Sequence, residues 1–113
     1  KQSAFCNKIK QRKGAGMIRT TAKETLHDAE VTLQAILYTN KNYSVAADIG
    51  GYLQPDKIGG YIPDLIATKG VETIIIEVET DETVNSTHAK AQAQAFQAWA
   101  NSRLFTTFRQ IVV

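Results

Sequence analysis

With 113 residues, the chain is long enough for one domain with a single modest core and leaves no room for a second, so one principal site is expected. Hydrophobic residues make up 43% and charged residues 21%, the usage of ordinary soluble globular domains, which argues against disorder as a whole. No run approaches the roughly 18 apolar residues of a membrane span, and no apolar signal core follows the basic N-terminus, so no membrane segment is expected and a cytoplasmic protein is.

The chain opens on a basic arm. Lys1, Lys8, Lys10, Arg12, Lys13 and Arg19 place six of the 13 basic residues in the first 19 positions, where there is no acid. From residue 20 onward seven basic residues face all 11 acidic ones, a net of −4. Residues 1–19 are therefore read as an N-terminal arm and 20–113 as a single domain. The arm either engages phosphates electrostatically or, as basic tails commonly are, is merely solvated. It has too few apolar residues to offset the entropy of ordering it, so it is expected to be dispensable for folding. Met17, shortly before a helix start, is a candidate initiator. Cys6 is the only cysteine, which rules out an intrachain disulfide and a Cys-based zinc site.

From Thr21 the pattern turns helical. Thr21 and Glu24 have capping-box spacing, and Ala22, Leu26, Ala29, Leu33, Ile36 and Leu37 fall on one stripe at helical period, predicted to face the core. Polar turn-formers end the helix near Asn40 to Asn42. Tyr43 to Ile49 reads as a strand, followed by a loop with Gly50-Gly51, Pro55-Asp56 and Gly59-Gly60. Tyr61 to Thr68 is a second strand, Lys69-Gly70 a tight turn, and Val71 to Thr80 a third strand around Ile74-Ile75-Ile76-Glu77-Val78-Glu79. That run is apolar on both faces until its end, as in a central covered strand. Ser86 to Ser102 is an Ala-rich second helix, with Asn85 or Ser86 as N-cap, and Phe105 to Val113 a fourth strand. The chain stops within this apolar run, so further native residues are expected after Val113. The fold class is α/β: a mixed four-stranded sheet flanked by helices, the first three strands antiparallel neighbours and the fourth parallel to the third.

Strand alternation puts Ile62, Asp64, Ile66 and Thr68 on one side of the second strand, and Ile75, Glu77 and Glu79 on one side of the third. Three carboxylates converging on a half-buried face repel one another and are poorly solvated unless something positive neutralises them. A divalent cation does so, and oxygen-only ligands favour Mg²⁺ first, then Mn²⁺ or Ca²⁺. Ordinary surface charge is the competing reading.

Pro63-Asp64, followed after 12 residues by Glu77-Val78-Glu79, resembles the PD-(D/E)XK motif, and the element order resembles the αβββαβ core of that restriction-endonuclease-like superfamily over roughly residues 21 to 113. The segment Tyr61 to Thr80 is especially similar to archaeal Holliday-junction resolvases. The resemblance implies a Mg²⁺- or Mn²⁺-dependent nuclease acting on DNA or structured nucleic acid as a homodimer, the dimer contact supplied by the second helix or the last strand. Asp64, Glu77 and Glu79 would be its metal ligands. Glu79 stands where the family usually has a lysine that orients or activates water, and would instead bind a second ion or accept a proton.

On the second helix, Ala89, Ala93, Phe96, Trp99 and Ala100 form the apolar face together with His88 and Gln92, while Lys90, Gln94 and Gln97 point to solvent. Gln92 and Phe96 resemble the Gln-x-x-x-Tyr element of RecB-like members, which makes Gln92 a catalytic candidate. His88 and, on the first helix, Glu30 are possible accessory residues; His27 lies off the predicted stripe and is assigned no role. The alternative function is a catalytically inactive nuclease-fold module that binds nucleic acid or a protein partner. The acidic body favours it, because affinity for duplex draws on several Lys or Arg contacts to phosphate. No phosphate loop of the Walker type is present.

Overall fold

The computed structural model describes residues 20–113; the arm, with Cys6 and Met17, lies outside them. Two helices and four strands follow in the order α1 (Thr21–Asn40), β1 (Ser44–Ala47), β2 (Leu65–Lys69), β3 (Glu72–Glu79), α2 (Thr87–Asn101) and β4 (Thr106–Val112). The sheet order is β1-β2-β3-β4. The first two pairings are antiparallel, and the α2 crossover returns β4 parallel to β3, as expected. The β2–β3 turn needs only two residues, Gly70 and Val71, between the paired Lys69 and Glu72. Gly70 takes φ 60°, a conformation that costs a residue without Cβ little.

Alternation on the β-branched run Ile74-Ile75-Ile76 serves both faces of the sheet. Leu65, Ala67, Ile74, Ile76 and Val78 meet Val31, Ala35 and Tyr38 of α1 in one core. Ile75 meets Phe96 of α2 and Ile58 of the long loop in the other, with Ile66, Tyr61, Trp99 and Phe108 around them. The loop before β2 is drawn onto α2 at Gly59, where φ is 61° and an added Cβ would stand 3.0 Å from the Ala95 Cβ. This close approach brings Pro63 and Asp64 to the head of β2.

The α2 face is the one the periodicity predicts, with Ala89, Gln92, Phe96 and Ala100 buried and Lys90 exposed. The α1 face is not. Its buried residues are His27, Val31, Gln34, Ala35 and Tyr38, while Leu26, Leu33, Ile36 and Leu37 are 41–47% exposed. Two stripes on this helix have helical period, and the bulkier one faces outward. The inward stripe carries the smaller Val31 and Ala35 against the sheet, together with the polar groups that complete the site described below. Capping is shifted by one residue as well: Thr20, not Thr21, is the N-cap and accepts from the Lys23 N–H at 3.2 Å.

Candidate active site

The β2–β3 ladder ends at Leu65↔Ile76, because the next residues at the head of β2 are Asp64 and then Pro63, which has no N–H to donate. Asp64 is thus a bend residue and not, as alternation suggested, part of the strand. Its side chain takes over the ladder's role. Asp64 Oδ2 accepts the Val78 N–H at 2.8 Å, and the Asp64 N–H in turn donates to Glu77 Oε1 at 3.1 Å. Each carboxylate is therefore tied to the backbone of the other's segment, with both residues buried.

Glu77 points toward α2, where Gln92 Nε2 donates to its Oε2 at 2.8 Å. Burial first, then the Asp64 and Glu79 charges, push the Glu77 carboxyl well above the usual carboxylate range; the Asp64 N–H pulls the other way. Two residues on, Glu79 is fully buried on the same side of β3. Its Oε1 accepts from the Thr83 hydroxyl at 2.6 Å, within the turn that follows the strand. That hydroxyl also accepts from the Thr80 N–H at 3.2 Å. The sequence thus placed Asp64, Glu77, Glu79 and Gln92 at one end of β3, and the structure brings the first two and Gln92 into direct contact.

His27 is the residue that sequence reasoning passed over. It is 1% exposed, its Nε2 lies 3.2 Å from Asp64 Oδ2, and its Nδ1 lies 2.8 Å from Asp28 Oδ1. Each ring nitrogen thus faces a carboxylate, one from its own helix and one from the head of β2. Glu24, His27 and Asp28 each offer a ligand atom within 4.8 Å of the others. Their spacing at i, i+3 and i+4 on one helical face was the available signal. The stripe of Leu26, Leu33, Ile36 and Leu37, which predicts the opposite face as buried, leaves His27 without a role in the sequence. The two accessory candidates lie elsewhere in their contacts: Glu30 accepts from Gln34 Nε2 at 2.8 Å, and His88 packs edge-on to the Tyr61 ring at 5.6 Å.

The donor chemistry suits a hard divalent cation. Asp64 and Glu77 offer only oxygen, and Glu77 is already disfavoured as an anion by burial and by the Asp64 and Glu79 charges. A cation between them relieves both penalties. Glu79 stands apart: among the described residues the acidic or histidine ligands whose atoms all lie within 4.8 Å of one another are Glu24, His27 and Asp28, not Asp64, Glu77 and Glu79. No helix among the described residues is long and apolar enough to cross a membrane.

A family model described as AHJR-like (REase_AHJR-like) matches residues 19–105, and so covers α1 through α2. No curated protein and no solved structure matches the chain.

Proposed function

Because the chain belongs to the AHJR-like family of restriction-endonuclease-like proteins, we propose that it is a metal-dependent nuclease hydrolysing phosphodiester bonds of DNA or structured nucleic acid. The observation that carries this reading is the buried cross-tie of Asp64 and Glu77 at the end of the central strand, with the Glu77 carboxyl pushed up in energy as an anion. Asp64, Glu77 and Glu79 would hold Mg²⁺ or Mn²⁺. When bound, such an ion supplies a nucleophilic water at neutral pH and charge neutralisation at the scissile phosphate.

The chain's own residues have separable tasks. His27 holds the Asp64 carboxylate from one side, the Val78 N–H from another. Gln92 fixes Glu77 through its amide and would orient water or contact phosphate. Glu79 is acidic where the family's lysine is usual, so it serves as a proton acceptor or a further ligand and not as a cation. The second reading, a catalytically inactive nucleic-acid- or protein-binding module, is favoured by that same residue and by the net −4 of residues 20–113.

Cleavage of supercoiled, single-stranded, flapped and branched DNA, and of RNA, in Mg²⁺, Mn²⁺ or chelator separates the two. Activity is expected with either ion, and none with chelator, Asp64→Asn or Glu77→Gln. Equal activity in wild type and Asp64→Asn would remove the site from consideration. We further propose a homodimer, since a duplex presents two strands and one domain holds one cluster. Among the described residues the exposed bulky apolar side chains of the helices lie on α1, not on α2, which moves the expected contact to the first helix or β4. Light scattering of a monomer at high micromolar concentration would exclude the dimer.

A further inference from the structure

At the opposite end of β3 from the carboxylates, the sheet carries a concave feature. A cleft of about 470 Å³ is lined by Tyr43, Lys69, Val71, Glu72, Phe105 and Thr107, a size in the range of small-ligand sites. Glu72 and Glu77 are five steps apart on one strand, so the cleft begins roughly 17 Å from the carboxylates at about 3.3 Å per residue.

Its lining joins two aromatic rings with one ammonium and one carboxylate, and two further cations stand behind the wall. Lys69 Nζ is held 5.5 Å over the Tyr43 ring while donating to the Lys41 carbonyl at 3.0 Å. Behind it, Tyr43 packs edge-on to Tyr38, whose ring lies under Lys41 Nζ and whose hydroxyl accepts from Arg109 at 2.8 Å. Three of the seven basic residues of the domain body thus gather at one corner of an otherwise acidic domain. The acid in the wall is already engaged, for the Tyr43 hydroxyl donates to Glu72 at 2.6 Å.

Phe105 supplies the exposed ring. Its φ of 57° is uncommon for a bulky side chain, and it is held there by the Thr73 N–H, which donates to the Phe105 carbonyl at 2.9 Å. The ring is 66% exposed beside Val71, which is 75% exposed. An aromatic residue kept in a strained conformation and in water, next to an ammonium positioned by the backbone, has the parts of a stacking platform with a phosphate contact.

We propose that this cleft holds one unpaired nucleotide of the nucleic-acid strand, its base on Phe105 and its phosphate at Lys69, as a second anchor beyond the carboxylate site. The inference rests on the nucleic-acid reading above. A single strand suits it better than duplex, because stacking needs only a few cations, whereas duplex affinity draws on many phosphate contacts that this body does not offer.

The test is fluorescence anisotropy of the full chain with a labelled single-stranded oligonucleotide and with a blunt duplex, in chelator so that nothing is cut, alongside the cleavage assay. Phe105→Ala and Lys69→Glu should each weaken single-strand binding about tenfold and change duplex binding little. Phe105→Trp should retain it. Undiminished binding by Phe105→Ala in a wild-type background that cleaves would overturn the cleft and leave the nuclease standing, and would point the exposed ring toward a protein partner. Loss of binding in the cleft variants of a protein that never cleaves would do the reverse. If wild type binds neither oligonucleotide and cleaves no substrate, both readings fall.

Discussion

Asparagine and alanine at position 64 should move the stability of the metal-free protein in opposite directions. Asp64 Oδ2 accepts from Val78 N and contacts His27 Nε2, and the Asp64 charge opposes ionisation of the Glu77 carboxyl. In Asp64→Ala the N–H of fully buried Val78 loses its acceptor and His27 loses a partner. At about 1–3 kcal/mol for each stranded buried group, the variant should lose roughly 2–6 kcal/mol. In Asp64→Asn the amide oxygen keeps both contacts, while one carboxylate charge beside Glu77 is removed. Removing the Asp64 charge relieves its opposition to Glu77 ionisation, offset in part by the weaker acceptor presented to His27. The net gain should be on the order of 1 kcal/mol, or about 4–8 °C in Tm for a domain of this size. Calorimetry near neutral pH measures both variants. The same scan with Mg²⁺ or Mn²⁺ well above its dissociation constant should raise the wild-type Tm by on the order of 10 °C and leave Asp64→Asn unmoved. An asparagine variant as unstable as the alanine one, with a wild-type Tm that ignores both ions, would refute the reasoning.

Glu77 gives a pH signature. Its folded-state carboxyl titrates above the ordinary value of 4.5, so the native state holds the extra proton over the interval between the two values. The stability this contributes is complete below the ordinary value and is lost as pH rises through the folded one. Metal-free wild type should therefore lose stability relative to Glu77→Gln as pH climbs through that interval, and parallel calorimetric curves would contradict the assignment. His27→Leu should lower Mn²⁺ affinity about 10- to 100-fold, the usual cost of losing a group that orients a ligand; titration calorimetry showing an unchanged affinity would free Asp64 from any dependence on the imidazole. Thr83→Val removes the hydroxyl that serves both Glu79 and the Thr80 N–H, and urea denaturation should register a loss of about 2–3 kcal/mol.

The strands and α2 were legible because their apolar residues recur with a single period. Ile74 to Ile76 read as a covered strand, and the spacing of Ala89, Phe96 and Ala100 put Gln92 on the face that reaches Glu77. On α1 two faces have helical period, and hydropathy favours the wrong one. Leu26 and Leu33 outweigh Val31 and Ala35 in transfer free energy, yet the inward side also had to admit His27, a preference set by Asp64 across the core and invisible to local pattern. Asp64 itself was assigned to the site through a strand that begins one residue later. Its true placement depends on Pro63 ending the ladder, and on a Val78 N–H that this leaves to be satisfied.

The hairpin also explains an interval in the chain. Between Asp64 and Glu77 lie five residues of β2, two of the turn and five of β3, so the motif's 12-residue gap is the length of a closed loop of ladder. Lengthening such a hairpin adds one residue to each arm. With a two-residue turn at Gly70, the gap between two acids facing each other at its open end is therefore always even. Proteins that build the same pair of carboxylates on an odd gap must carry a three-residue turn or a bulge. The parity of the spacing thus reports the turn.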